Sequence, residues 1–97
     1  MTVGDWTVDI VGQAKKAGKN LSKDAAASFV FLLKELKSLG PFRFNWPNYT
    51  KMNGVDDYYH CHLKKGRPTY GACWIIKDKS QKIIEVYYAG THEKAPY

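Results

Sequence analysis

The segment from Ser22 to Pro41 constrains the fold most, because it combines a helical apolar period with signals for both helix ends. Apolar residues recur through it at helical spacing: Ala25, Phe29, Leu32, Leu33, Leu36 and Leu39. Ser22 is a favourable N-cap, and Asp24 places an anion in the first turn, where the helix dipole stabilises it. Gly40 and then Pro41 end the helix in the usual order. We therefore predict an amphipathic helix over residues 22–39 that packs one face on a core.

The segments on both sides of this helix have the composition of strands and turns. Residues 6–11 alternate apolar and polar side chains and predict a first strand, with Trp6, Val8 and Ile10 on one face. Residues 13–18 predict a short helix. Residues 41–57 form a long connection with one short strand near 49–52. Three strands are then predicted in succession, Tyr58 to Lys64, Thr69 to Lys77 and Lys82 to Ala89.

The turns between these last strands, residues 65–68 and 78–81, have hairpin lengths, which indicates an antiparallel meander. The predicted fold class is α+β. It consists of an N-terminal strand, a helical hairpin and an antiparallel three-strand meander, which form one sheet with the helices on one face. The 97 residues suit a single domain spanning 1–97.

The charge of the chain favours polyanionic partners. Fifteen lysines and arginines against nine acidic residues give a formal charge of +6, which attracts nucleic acid, an acidic protein segment or an anionic membrane surface. No apolar run approaches the roughly 20 residues that span a bilayer, and residues 1–5 lack the start of a secretory signal. We therefore expect a cytoplasmic protein with no membrane partner. Cys61 and Cys73 are expected to be buried thiols that both lie on the apolar side of the sheet.

The strand Tyr58 to Lys64 divides into two stripes, because strand side chains alternate between faces. Tyr59, Cys61 and Leu63 form an apolar stripe that suits the core. The other stripe contains Tyr58, His60, His62 and Lys64, whose polar groups would be left without partners if buried. We therefore expect the two histidines on the open face of the sheet.

Three interpretations of this histidine pair are open. Imidazole titrates near neutrality, so His60 and His62 could transfer protons as general acid and base. They could also bind Zn²⁺ with His92 as a third ligand. In the third interpretation they are exposed strand residues without a role. A zinc site is not expected, because Lys64, Arg67 and Lys94 would repel a dication, and no carboxylate completes the ligand set.

Cations and aromatic residues surround the histidine stripe in the predicted fold. Lys64, Lys65 and Arg67 lie in or beside the first hairpin turn, and a tail with His92 and Lys94 leaves the last strand. If the meander closes as predicted, this tail folds back over the histidine face. Tyr58, Tyr70 and Tyr97 could stack on bases, which together with the cations would suit RNA. The alternative for the lysines is a solvated surface.

Three segments resemble the closing half of RelE-type toxins: YHCHLKKGR at 59–67, YGACW at 70–74 and EVYYAGTHEKAPY at 85–97. The resemblance implies a RelE-like toxin of a type II toxin–antitoxin pair. Such a toxin enters the ribosomal A site, cleaves mRNA and is silenced by a cognate antitoxin. Alternatives are a ParE-like DNA gyrase inhibitor, which shares the fold, and a non-catalytic RNA- or protein-binding domain.

The resemblance also implies roles for particular residues. It assigns catalysis to His60, His62, His92 and Tyr97, with the loop residue Arg67 in place of a cation that the family carries on the following strand. From their charge and aromatic character, five further residues are expected to bind RNA: Lys64, Lys65, Lys94, Tyr58 and Tyr70. In the implied reaction, which needs no cofactor, a base deprotonates the ribose 2′-hydroxyl and the resulting oxyanion attacks the adjacent phosphorus. Cations then stabilise the phosphorane, and an acid protonates the leaving 5′-oxygen.

Overall fold

The computed structural model describes residues 5–51 and 57–95 of the chain, and it has the α+β architecture that the sequence predicts. Its helices and strands in chain order are β1 (Thr7–Ile10), α1 (Gly12–Gly18), α2 (Lys23–Leu39), β2 (Thr50–Lys51), β3 (Tyr58–Lys64), β4 (Tyr70–Asp78) and β5 (Ile83–Thr91). A 3₁₀ helix, His92–Lys94, follows β5. In the described part of the chain, no helix is long and apolar enough to cross a membrane.

The five strands form one sheet in the order β1-β5-β4-β3-β2. Strands β3, β4 and β5 make the predicted antiparallel meander. Strand β1 pairs in parallel with β5, with Thr7 opposite Ile83, because the intervening chain carries the crossover that parallel pairing requires. The last strand ends two residues later than predicted, since Gly90 and Thr91 pair with Gly71 and Tyr70 of β4.

Helix α2 covers one face of the sheet and begins and ends as predicted. The Ala25 N–H donates to Ser22 Oγ at 3.2 Å, and the Gly40 N–H donates to the Leu36 carbonyl at 3.1 Å. Its buried residues are Ala25, Phe29, Leu32 and Leu36. They pack against the sheet residues Tyr59, Cys61, Leu63, Ala72, Trp74, Ile76, Ile84, Val86 and Ala89. Of the predicted apolar stripe, only Leu39 is mostly exposed, because it lies at the helix end.

The connection after α2 is held to the helix by one carboxylate. Glu35 Oε1 accepts hydrogen bonds from Arg43 Nη1 at 2.9 Å, Trp46 Nε1 at 2.9 Å and Asn45 Nδ2 at 3.4 Å. Burial raises the pKa of Glu35, but these hydrogen bonds and the charge of Arg43 outweigh it and hold the pKa below its usual range. Residues 43–46 of the connection are therefore fixed to α2, although their sequence shows no period.

The register of β3 and β4 corrects the expectation for the cysteines. Cys61 lies opposite Ala72, whereas Cys73 lies opposite His60. Residues opposite each other in a ladder share a face, so Cys73 is on the histidine side of the sheet and not on the apolar side with Cys61. The cause is a bulge between His62 and Lys64, because a shift of one residue reverses the face. Burial raises the pKa of both thiols, that of Cys73 to about 12.

We predict that Glu35→Gln lowers the free energy of unfolding by about 1–3 kcal/mol at pH 7, because hydrogen bonds to an ionised acceptor are worth more than neutral ones. A carboxylate with a lowered folded-state pKa stabilises the fold above its unfolded pKa, and that contribution is lost as the pH falls through the folded value. The difference between wild type and variant should therefore shrink below about pH 4.5. Urea denaturation measures it, with the exposed Glu93→Gln as control; equal stability at pH 7 would contradict the prediction.

Candidate active site

The open face of the sheet carries the predicted histidines. Tyr59, Cys61 and Leu63 are buried on the helix side, and His60 and His62 are half-buried between them along β3. Tyr58 is exposed on the same stripe, and its ring meets that of Tyr87 edge-on at 5.9 Å between centroids. The alternation of β3 thus places two imidazoles and a phenol on one surface.

The tail after β5 returns to this surface, as expected. The ring of His92 lies 5.1 Å from that of His62 between centroids, at an angle of 86°. The N–H of His92 donates to the Thr69 carbonyl at 2.7 Å, which holds the start of the 3₁₀ helix against the hairpin of β3 and β4. Two imidazoles that are 30 residues apart in sequence are thereby in contact.

Arg67 lies beside this histidine pair. A cavity of about 500 Å³ is lined by Gly66, Arg67, Pro68, Thr69, His92 and Glu93. The turn that carries Arg67 is closed by Thr69, whose hydroxyl donates to the Gly66 carbonyl at 2.9 Å and accepts from the Gly66 N–H at 3.2 Å. Arg67 and His92 therefore line one concave surface.

His92 is positioned by Tyr88 and Gly90, two residues that were not predicted as part of the site. His62 lies opposite Gly71 on β4, and Gly71 lies opposite Gly90 on β5. The two neighbouring strands therefore place no side chain directly beside His62. The Tyr88 hydroxyl lies over Gly90, where a Cβ would be only 2.8 Å from it. It donates to the Thr91 carbonyl at 2.6 Å, directly before His92. Tyr88 therefore holds the end of β5; the only sequence signal for this is a tyrosine two residues before a glycine.

Two residues that were expected on the histidine face lie elsewhere. Lys64 Nζ is 3.1 Å from Asp24 Oδ2 in the first turn of α2, which places Lys64 on the helix side. Tyr70, its partner in the ladder, packs against the core and is only partly exposed. The bulge after His62 explains both corrections, because the alternation assumed for the strand fails there. Their binding of RNA stays a prediction, on the side of the sheet opposite to His62.

The remaining predicted site residues are Lys65, Lys94 and Tyr97, and the two lysines do not lie together. Lys65 is exposed in the turn beside Gly66, and its charge acts on His62. Lys94 lines a different cavity of about 370 Å³, together with residues of α1 and β5. Arg67 does not line this cavity. Tyr97 lies outside the described residues, so its role stays a prediction.

The surroundings of the two strand histidines favour neutral imidazoles. Partial burial lowers the pKa of His60, and the positive charges of His62 and His92 lower it further. Burial likewise lowers the pKa of His62, with further effects from His92 and Lys65. A neutral imidazole can accept a proton, so these groups suit a general base at pH 7. Among the described residues, no group of three or more His, Cys, Asp or Glu side chains is arranged to hold a metal ion.

Comparison with known proteins defines the class of this fold. No family model matches the chain, and no curated protein matches it. Solved structures do match. The chain is similar to the archaeal RelE–RelB complex from Pyrococcus horikoshii, with 22% identity, a TM-score of 0.72 and coverage of 98% of this chain and 100% of that chain.

Two further structures show the same likeness. A mutant of the E. coli toxin RelE in the free state has 18% identity and a TM-score of 0.71, over 94% of this chain and 87% of that one. The YoeB dimer from Staphylococcus aureus has 14% identity and a TM-score of 0.68, over 91% and 98%. The chain therefore has the RelE-like toxin fold, as the resemblance implied.

We predict that His60 and His62 both titrate below pH 6.5, the ordinary value for histidine. Because the unfolded chain binds these protons more readily, the free energy of unfolding should be greatest above about pH 6.5 and fall as the pH drops through the folded values. His92→Gln removes one of the charges that lower both pKa values, so both should rise. NMR titration measures this, with Lys79→Gln at the opposite end of the sheet as control. Values at or above 6.5 in the wild type would refute the prediction.

Proposed function

We propose that this chain is the toxin of a type II toxin–antitoxin pair and acts as a metal-independent endoribonuclease that cleaves mRNA on the ribosome. The observation that carries the proposal is the contact between His62 and His92 at 5.1 Å, next to the cavity that Arg67 lines. A neutral imidazole, a second imidazole and a guanidinium can supply the base, the acid and the stabilising charge that phosphodiester cleavage by an internal hydroxyl uses. The RelE-like toxin fold supports the same conclusion.

In the proposed reaction, His62 accepts the proton of the ribose 2′-hydroxyl. The 2′-oxygen then bonds to the adjacent phosphorus, and the bond from phosphorus to the 5′-oxygen breaks. A protonated His92 delivers its proton to that leaving oxygen, which yields a 2′,3′-cyclic phosphate and a free 5′-hydroxyl. The charge of His92 favours the neutral form of His62, so the pair suits one proton shared between a base and an acid.

The remaining residues bind and orient the RNA in this proposal. Arg67 and Lys65 lie at the turn beside His92 and would neutralise the phosphate as negative charge develops. His60 lies next along the stripe and is a second proton acceptor within electrostatic reach of the pair. Tyr58 is exposed at the end of the stripe and would stack on a base. Tyr97 is proposed to stack on the nucleotide at the cleavage site.

The proposed partners follow from charge and fold. A chain of charge +6 suits the anionic surface of the ribosome and an acidic antitoxin segment. One of the similar structures is a complex of RelE with RelB, and we propose a cognate antitoxin for this chain on that basis.

We predict that His62→Ala and His92→Ala each reduce mRNA cleavage on programmed ribosomes by about 10²–10⁴, because each removes a proton-transfer group. Tyr97→Ala should cost about ten- to a hundredfold if it stacks on a base. Lys64→Ala is the matched control, because it removes a cation two residues after His62 that pairs with Asp24 on the helix side. Circular dichroism checks folding. If the histidine variants fold and cleave mRNA at the wild-type rate, the proposed assignment of the active site is wrong.

We also predict that cleavage needs no zinc. A zinc-selective chelator, added while magnesium is held constant to preserve the ribosomes, should leave the rate unchanged, because imidazole and guanidinium supply the proton transfer and the charge. The metal content of untagged protein, measured by mass spectrometry, should be far below one zinc per chain. Stoichiometric zinc together with loss of activity on chelation would overturn this prediction.

A further inference from the structure

The cavity beside His92 contains a carboxylate for which the proposed reaction has no use. The cavity has a volume of about 500 Å³, and its titratable lining residues are Arg67, His92 and Glu93. Arg67 and His92 supply positive charge and a proton in the proposed reaction. Glu93 is exposed and follows His92 directly in the 3₁₀ helix, and its charge repels the phosphate that Arg67 attracts. Its presence in the cavity therefore indicates a different ligand group.

The backbone on the two sides of this cavity is joined by hydrogen bonds. On one side, the Thr69 hydroxyl bonds to both backbone groups of Gly66, at 2.9 Å and 3.2 Å. On the other side, the His92 N–H donates to the Thr69 carbonyl at 2.7 Å, and the Thr91 carbonyl accepts from the Tyr88 hydroxyl at 2.6 Å. The peptide group between Thr91 and His92 is thus held at both its N–H and its carbonyl. Less backbone freedom is therefore lost when a ligand binds there.

The two opposite charges that line the cavity are not paired with each other. Among the described residues, no ion pair or hydrogen bond engages the side chain of Arg67 or that of Glu93. A ligand that contacts both needs a planar face or acceptors for the guanidinium and N–H donors for the carboxylate. A phosphate offers acceptors and negative charge alone, so it suits Arg67 but not Glu93. A nucleobase offers both a planar face and donors.

Guanine is the base that matches a carboxylate best. Its Watson–Crick edge presents two adjacent donors, N1–H and the 2-amino group, and the two oxygens of a carboxylate can accept from both. In adenine, cytosine and uracil, the donor on this edge is next to an acceptor, which a carboxylate repels. The Arg67 guanidinium is planar, so it can stack on the base while its charge attracts the phosphate. The cavity therefore suits guanine more than any other base of RNA.

We propose that this cavity binds a guanine base and that Glu93 determines the specificity, by accepting hydrogen bonds from N1–H and the 2-amino group. That the guanine belongs to the mRNA substrate rests on the proposed function; the binding of guanine itself does not. His92 connects the two sites, because it lines the cavity and its ring lies 5.1 Å from that of His62. Cleavage should therefore occur next to guanines.

The test measures binding of fluorescent single-stranded RNAs of about six nucleotides to the full chain by anisotropy. One internal position carries guanine, inosine, adenine or uracil, and all other positions carry uracil. Sugars at and before this position are 2′-deoxy, so that no 2′-hydroxyl there can attack the backbone. The guanine RNA should bind roughly ten- to a hundredfold more tightly than the adenine and uracil RNAs, the range of a bidentate contact to a base. Inosine lacks the 2-amino group, so its affinity should be intermediate.

Glu93→Gln should remove this preference. The guanine RNA should bind the variant more weakly than the wild type, whereas the adenine RNA should bind at least as tightly, because a negative charge is gone. If Glu93 only repelled phosphates, the variant would bind all four RNAs more tightly by the same factor. Glu85→Gln is the matched control, because it removes the same charge from β5 outside the cavity and should keep the preference. Circular dichroism checks that both variants fold.

Three binding results would overturn the inference: equal affinity of the wild type for the guanine and adenine RNAs, a guanine preference that survives in Glu93→Gln, or a preference that Glu85→Gln also removes. Cleavage of mRNA on programmed ribosomes with no preference for guanine would overturn it as well and leave the proposed function intact. A protein that prefers the guanine RNA but cuts no mRNA would refute the proposed function and leave the guanine site standing.

Discussion

Burial of α2 against the sheet is the interaction on which the rest of the structure depends. Phe29, Leu32 and Leu36 pack on a layer centred on Trp74, whose indole donates to the Pro41 carbonyl at 3.1 Å. Each large apolar side chain that is fully buried stabilises the fold by about 1.5–3 kcal/mol. Because the helices occupy only this face of the sheet, the other face is left for polar side chains, and the imidazoles of β3 lie there.

The same packing explains which parts of the fold could be predicted. The helical period of residues 22–39 and the alternation of Tyr59, Cys61 and Leu63 are local signals, and the structure agrees with both. The parallel pairing of β1 with β5 joins residues far apart in the sequence, and the residue types at 7–10 do not predict it. The role of Glu35 depends on residues 8 to 11 positions further along the chain, and each of them alone has an ordinary loop composition.

The candidate site was predicted only in part, because local alternation places some of its residues and a bulge misplaces others. His60 and His62 follow from alternation, and His92 from the closure of the meander. Lys64, Tyr70 and Cys73 were placed on the wrong faces, because one bulge after His62 reverses the alternation on which all three assignments relied. The contribution of Tyr88 could not be predicted from either residue alone, because its hydroxyl occupies the space that a Cβ at Gly90 would need.

Primer extension on cellular mRNA after induction of the gene is the direct test of the proposal that the histidine face cleaves mRNA during translation. Growth should stop, and new 5′ ends should appear within translated codons. Neither effect should occur when the induced gene encodes the folded His92→Ala variant. Growth arrest with intact mRNA, or new ends that persist with His92→Ala, would contradict it and point to a different target of the same fold.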